Sequence, residues 1–385
     1  MHGPQFTRGR IRPGRVIHSR ASRGGRMTQP RVRSQAGVVT ISTEAIAAAL
    51  AADPIPYLDA DWISAGAVRS NDGQRVELVL GFYLGDRHSA TLEHLRGLCA
   101  QAAGHEVAVS LTTEIGTHAV QRGLRPLPRI HNILAVASGK GGVGKSTTAV
   151  NLACATARAL NLRVGLLDAD VFGPSVPILM NLADAGMPAI DERKRMLPLE
   201  NYGVKCMSMG FLIPEERAAV WRGPMVMGAL GKMVRDTAWA PLDVLFVDMP
   251  PGTGDAQISI SQQIPLTGAV IVSTPQEIAL ADVRRGVNMY TKVAAPILGF
   301  VENMAHFVDA NGEKVYVFGE GGVRRAAAEQ GVELLGEVPL DPSIGTSSDA
   351  GRPVAVSQPD GIAGKLYEAM ARRLIEKTQP FPEPS

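Results

Sequence analysis

Short apolar runs recur along the second half of the chain at helix-length intervals. Residues 133–137, 164–167, 244–247, 269–272 and 297–301 are each four or five aliphatic, aromatic or small residues with no polar alternation. Runs of that kind are expected where both faces of a parallel sheet are covered by helices. Their alternation with helical segments predicts a doubly wound, mostly parallel α/β domain over residues 130–378. Nearer the start the pattern is mixed. Thr43–Ala52 is alanine-rich and helix-prone. Val76–Leu80 and Val107–Leu111 predict strands, and Thr91–Ala103 carries Leu92, Leu95, Leu98 and Cys99 at helical spacing. Together they predict a small α+β domain over 38–122. Arg122–Arg129, with Pro126 and Pro128, predicts a linker. Ile362, Leu366, Met370 and Leu374 form a stripe near the end that predicts a helix packed on the domain. Gln379–Ser385 is proline-rich and predicts a disordered end.

Charge changes the picture at one end. Residues 1–37 hold nine arginines and no acidic residue, while the other 348 residues carry 30 basic against 37 acidic side chains. The body is mildly acidic behind a basic tail. That tail predicts a disordered arm, or an upstream extension ahead of an alternative start at Met27; nucleic-acid binding and organelle targeting are the other readings of such a segment. No apolar run reaches the 18 residues of a membrane-spanning helix. The three cysteines, Cys99, Cys154 and Cys206, lie far apart with no CxxC. This excludes a disulfide framework and suits a reducing cytoplasm.

Gly139-Lys-Gly-Gly-Val-Gly-Lys-Ser146 matches the phosphate-binding pattern GxxxxGK[ST], with a predicted strand before it and a predicted helix from Thr147 to Leu160 after it. Gly139, Gly141, Gly142, Val143 and Gly144 let the backbone curl and aim N–H groups at phosphate oxygens, and the helix N-terminus favours the same charge. Lys145 is expected to reach the β- and γ-phosphates of ATP, Ser146 to meet Mg²⁺, and Thr147 to line the loop's end. Such a site needs a carboxylate at a neighbouring strand end. Asp248, closing the run 244–247, fits that role for Mg²⁺. Pro250-Pro-Gly252 then turns the chain where a γ-phosphate would lie. Asp255 reads as a helix N-terminal residue.

The variant loop with a second lysine, Lys140, resembles the MinD/ParA-like class of P-loop ATPases. The resemblance implies a nucleotide-sandwich homodimer in which Lys140 acts across the interface. It also marks Asp168-Ala-Asp170 as the first switch, with Asp168 near Mg²⁺ and Asp170 placing the attacking water. Carboxylates two apart on a strand face the same way, which agrees with that assignment. In this class the asparagine of Val301-Glu-Asn-Met304 contacts adenine, which makes Asn303 the expected base contact.

Several longer phrases are more specific. Ala137–Thr148, Asp168–Pro177, Trp221–Met225, Asp248–Asp255, Ser273-Thr-Pro-Gln276, Val301–Met304 and Pro339–Pro353 resemble the Mrp-type iron–sulfur cluster carrier family. The domain ahead of them resembles a MIP18-like domain, chiefly at Asp53-Pro54. The family resemblance implies ATP-dependent handling of iron–sulfur clusters, with client or scaffold proteins as partners, no nucleic acid or membrane partner, and a [4Fe–4S] cluster bridging the dimer through CxxC thiolates. The sequence departs at that point: Asp309 and Gly312 stand where the cysteines would be, and Leu84–His88 lacks the cysteine of the smaller domain. Cys99 and Cys154 read as buried fillers and Cys206 as a core strand residue. His306, close to the missing motif, reads as a packed or surface histidine. The alternatives are a partitioning ATPase of the MinD/ParA kind and a cluster-free, nucleotide-gated scaffold.

Overall fold

Eight strands of the second part form one sheet, whose central members are apolar runs with no polar face to turn to water. In the computed structural model, which describes residues 35–55, 60–81, 84, 87–114, 121, 123–213 and 223–378, they are β4 (Ile130–Ala137), β5 (Val164–Asp168), β6 (Leu199–Asn201), β7 (Val204–Ser208), β8 (Leu242–Asp248), β9 (Gly268–Ser273), β10 (Ile297–Glu302) and β13 (Leu334–Glu337). The order is β13-β10-β9-β4-β8-β5-β7-β6, parallel except for the β6–β7 pair. Every residue of β5, β8 and β9 is buried, as expected of strands covered on both faces. The covering helices include α3 (Lys145–Leu160), α5 (Gly223–Arg235), α7 (Glu277–Lys292), α8 (Gly322–Gln330) and α11 (Ile362–Lys377), with shorter α4 (Val176–Leu179), α6 (Asp255–Ser261), α9 (Pro342–Asp349) and α10 (Val354–Ser357) between them. A two-stranded hairpin, β11 (Phe307–Val308) and β12 (Lys314–Val315), stands apart from the sheet.

Along the β9–β10–β13 flank each strand carries a glycine beneath a bulky neighbour. A Cβ at Gly268 would lie 2.6 Å from Leu298, one at Gly299 2.4 Å from Leu335, and one at Gly336 2.8 Å from the Met370 sulfur. Three successive elements thus interlock, large over small.

The first part builds its own core. Helices α1 (Gln35–Ala52) and α2 (Arg87–Ala103) pack with the three-stranded sheet β1-β2-β3 (Val68–Asn71, Arg75–Leu80, Ala108–Thr113) around Ile46, Leu50, Trp62, Leu78, Leu95 and Leu111. The Trp62 indole N–H donates to Asp53 at 2.9 Å, which satisfies the one polar atom of a fully buried ring. Helix α1 begins at Gln35, so the last three residues of the expected basic tail are helical; the rest of that tail, with Met27, and Gln379–Ser385 lie outside the described residues. Between the two parts, Gln121 donates to the Ser261 carbonyl at 3.2 Å.

At the C-terminal helix the expected stripe is shifted. Met370 and Leu374 are buried, but Ile362 is 81% exposed, and the packed face runs through Ala363, Tyr367, Met370, Ala371 and Leu374. A stripe spaced strictly by four drifts about 40° per step on an α-helix, which carries its first member out of contact.

Candidate nucleotide site

The chain leaves β4 in the middle of the sheet, runs to β5 on one side, and later crosses to β9 on the other. The crevice at such a reversal, outside the carboxyl ends of the strands, is where α/β sheets take ligands. The loop 138–144 fills it. Gly142 and Gly144 have φ of 77° and 80°, left-handed values that L side chains rarely adopt. Gly144 is fixed a second way: a Cβ there would fall 2.1 Å from the Asn303 amide nitrogen. Val143 is buried, and its carbonyl accepts from Asn303 Nδ2 at 2.8 Å. Ser138 Oγ donates to the Lys140 carbonyl at 2.8 Å, and the Gly252 N–H donates to the Ser138 carbonyl at 3.1 Å. The loop is therefore tied to the turn after β8 and to the end of β10. Helix α3 follows with no acidic residue in its first turn, and its positive end faces the crevice.

Beneath the loop lie the charges. Lys145 is 7% exposed; its Nζ pairs with Asp248 Oδ1 and donates to Ser146 Oγ at 3.2 Å. Asp248 is fully buried, and its Oδ2 has no hydrogen-bond partner among the described residues. A buried carboxylate oxygen without a donor is costly unless something positive or protic meets it. Asp168 stands directly opposite Asp248 in the β5–β8 register. It accepts from the Asp170 and Val176 amides at 3.1 and 3.2 Å and from Ser208 Oγ at 3.1 Å. Burial, and then the Asp248 charge, push its pKa up to about 7. Burial also raises Asp170, while Lys145 opposes the rise. Two buried carboxylates and a half-buried third around one lysine make a place that a divalent cation would relieve. Mg²⁺ keeps waters and phosphate oxygens in its shell.

The other expected residues fall around this centre. Lys140, on the loop, donates to Gln276 Oε1 at 3.0 Å. Ser146 and Thr147 open α3. Asp255 sits at the first position of α6, as a helix N-terminal residue. The bond the structure gives Asn303 is to the loop itself. Three contributors were not legible in the sequence: Ser208, which holds Asp168; Gln276, which holds Lys140; and Gln257, whose amide donates to the carbonyls of Pro250 at 2.6 Å and Ser138 at 3.4 Å. Only Gln276 had a signal, as the last residue of a family-like phrase with no role attached.

The model of the NUBPL iron-transfer P-loop NTPases matches residues 129–375. The chain belongs to that family. It is 52% identical over 290 residues to the iron–sulfur protein required for NADH dehydrogenase, mitochondrial, of Arabidopsis thaliana, covering 75% of this chain and 87% of that one. The iron–sulfur cluster transfer protein NUBPL of Mus musculus is 49% identical over 69% of this chain and 85% of its own. The iron–sulfur cluster carrier protein of Escherichia coli K12 is 41% identical over 310 residues, 79% of this chain and 82% of that one. Among solved structures, a nucleotide-binding protein from Archaeoglobus fulgidus in complex with ADP is 39% identical, with a TM-score of 0.52 over 58% of this chain and 88% of that one. MinD of Pyrococcus furiosus, 21% identical with a TM-score of 0.50 over 64% of this chain and 98% of that one, shares the fold.

Against that family membership the thiols stand out. Cys99, Cys154 and Cys206 are all buried. Burial pushes Cys99 to about 11 and Cys154 to about 12, and raises Cys206 well above its ordinary value. Thiolates are what clusters bind, and these three side chains are kept as neutral core fillers. The positions expected to carry cysteines form a turn instead. Asp309 Oδ1 accepts from the Asn311 and Glu313 amides at 2.9 and 2.8 Å, and Gly312 has φ of 83°. The Asp309 carboxylate is occupied by its own backbone, which lowers its pKa. His306 packs against the Tyr316 ring at 6.1 Å between centroids.

Proposed function

We propose that this family member binds and slowly hydrolyses Mg·ATP, and that it serves iron–sulfur proteins without holding a cluster on its own thiolates. The reading rests on one observation above the rest: Lys145, Asp248 and Asp168 are buried together at the carboxyl ends of β4, β8 and β5, under a glycine loop built for phosphate. In this reading Lys145 leaves Asp248 for the β- and γ-phosphates, and Asp248, Asp168 and Ser146 would be the residues that hold Mg²⁺. Magnesium supplies charge neutralisation of the phosphates. Asp170 orients a water and takes its proton as that water's oxygen attacks the γ-phosphorus; the bond to the β-bridging oxygen breaks and ADP leaves. Lys140 serves the triphosphate of a second copy in a homodimer, as the MinD/ParA resemblance implies. Asn303 acts through the loop it braces.

The cluster-free part of the reading is carried by the buried, protonated thiols. Two measurements test it. Purified protein is expected to release phosphate from Mg·ATP. After anaerobic reconstitution with iron and sulfide, followed by desalting, it is expected to retain neither. Stoichiometric iron and sulfide on the protein would remove the cluster-free reading and leave the ATPase reading standing. Absence of any adenine-nucleotide affinity with magnesium would do the reverse.

A further inference from the structure

We propose that Gln276 is the neutral resting partner of Lys140: its amide parks the loop lysine without neutralising it, so that the ammonium stays available to a phosphate. This deepens the Mg·ATP reading and rests on it. Gln276 occupies the N-cap of α7, where a side chain ordinarily accepts from the helix amides, yet it makes no such bond. Its Oε1 accepts instead from Lys140 Nζ at 3.0 Å, across 136 residues of sequence. The Lys140 backbone is held independently by Ser138 Oγ.

The contrast with the loop's other lysine gives this bond its meaning. Lys145 is buried and met by the Asp248 carboxylate. Lys140 is half-buried, and among the described residues no carboxylate pairs with it. A carboxylate at position 276 would add an opposite full charge to the bond and would cancel the charge that attracts a phosphate. A neutral acceptor holds the side chain in one place and gives it up easily. Gln276 also follows the end of β9, next to β4 in the sheet, so the holder and the loop share one rigid frame.

The test uses the full chain and Mg·ATPγS, whose binding is readable without turnover, at high subunit concentration. Wild type, Gln276→Glu and Gln276→Ala are each measured alone and combined with Lys140→Ala. Gln276→Glu is expected to weaken binding about tenfold, and Gln276→Ala, which frees the lysine, to tighten it about threefold, with melting temperatures unchanged. In the Lys140→Ala background both effects disappear. An effect of the same size in that background, or shifts of the same sign for both variants, would make Gln276 an ordinary structural residue and overturn the proposal. A wild-type protein that binds no ATPγS would strike the Mg·ATP reading itself, which is a separate result.

Discussion

The nucleotide crevice and the 305–317 hairpin lie next to each other in sequence and at opposite extremes of constraint. In the crevice the framework is tightly held: Asp168 has three donors, Val143 is gripped by Asn303, and Gly144 leaves no room for a methyl group. In the hairpin the Asp309 carboxylate is spent on a single local turn, and Phe307, Val308, Val315 and Val317 face outward. One region keeps an arrangement that phosphate chemistry needs. The other, where the family resemblance implies cysteines, is a turn that closes on its own backbone. If the cluster-free reading proposed above holds, the nucleotide machinery and the cluster ligands are separable parts.

Substitutions sharpen that contrast, the crevice ones by larger amounts. Asp170→Ala is expected to lower turnover by about 10²–10⁴-fold while ATP affinity stays within a few-fold; stopped-flow phosphate release and equilibrium titration separate the two, and retained hydrolysis would unseat Asp170 as the water-orienting residue. Lys145→Ala removes a charge-assisted contact to phosphate and leaves Asp248 buried without its cation, and ATP affinity should fall about 100-fold or more. Asn303→Ala is expected to weaken ATP and GTP alike, by about tenfold, since the loop loses its brace at Val143. A loss confined to ATP would assign Asn303 to the base instead, as the family resemblance implies.

A pH series checks the electrostatic account. Asp168 has its pKa raised from an ordinary 3.8 to about 7 in the folded protein. The stability linked to its protonated form is fully present below 3.8 and is lost as pH rises through about 7. In nucleotide-free protein Asp168→Asn should therefore raise the melting temperature at pH 8, and the gain should shrink toward pH 5. The smallest effect is expected in the hairpin. Asp309→Ala removes a turn bond worth about 1 kcal/mol locally and should leave ATP affinity unchanged; hydrogen exchange at Asn311 and Glu313 would report the loosening. A large loss of nucleotide binding there would dissolve the contrast between the two regions.

Much of the crevice was readable in advance because its chemistry restricts the backbone. GKGGVGKS allows few conformations, and a buried strand ending in Asp248 has few reasons to exist. The five apolar runs likewise fall on five strands of the central sheet. What escaped was set by long-range packing. Ser208 and Gln257 carry no local pattern, and their roles appear only when β7 and α6 are brought against Asp168 and the loop. β13, with every residue half-buried, lacks the unbroken apolar run that marked its neighbours. The hairpin and β1 are short and exposed, with no burial to impress a pattern. Asn303 was legible as a site residue, but its bond to the Val143 carbonyl was not.

The interlocked glycines of the β9–β10–β13 flank give the sheet a collective mutational fate. Enlarging Gly268, Gly299 or Gly336 requires Leu298, Leu335 or Met370 to move aside or shrink, and each of those sits on the next element along. Single changes there crowd a neighbour, while paired ones relieve it, so drift along that edge favours compensated exchanges that travel from strand to strand out to the last helix.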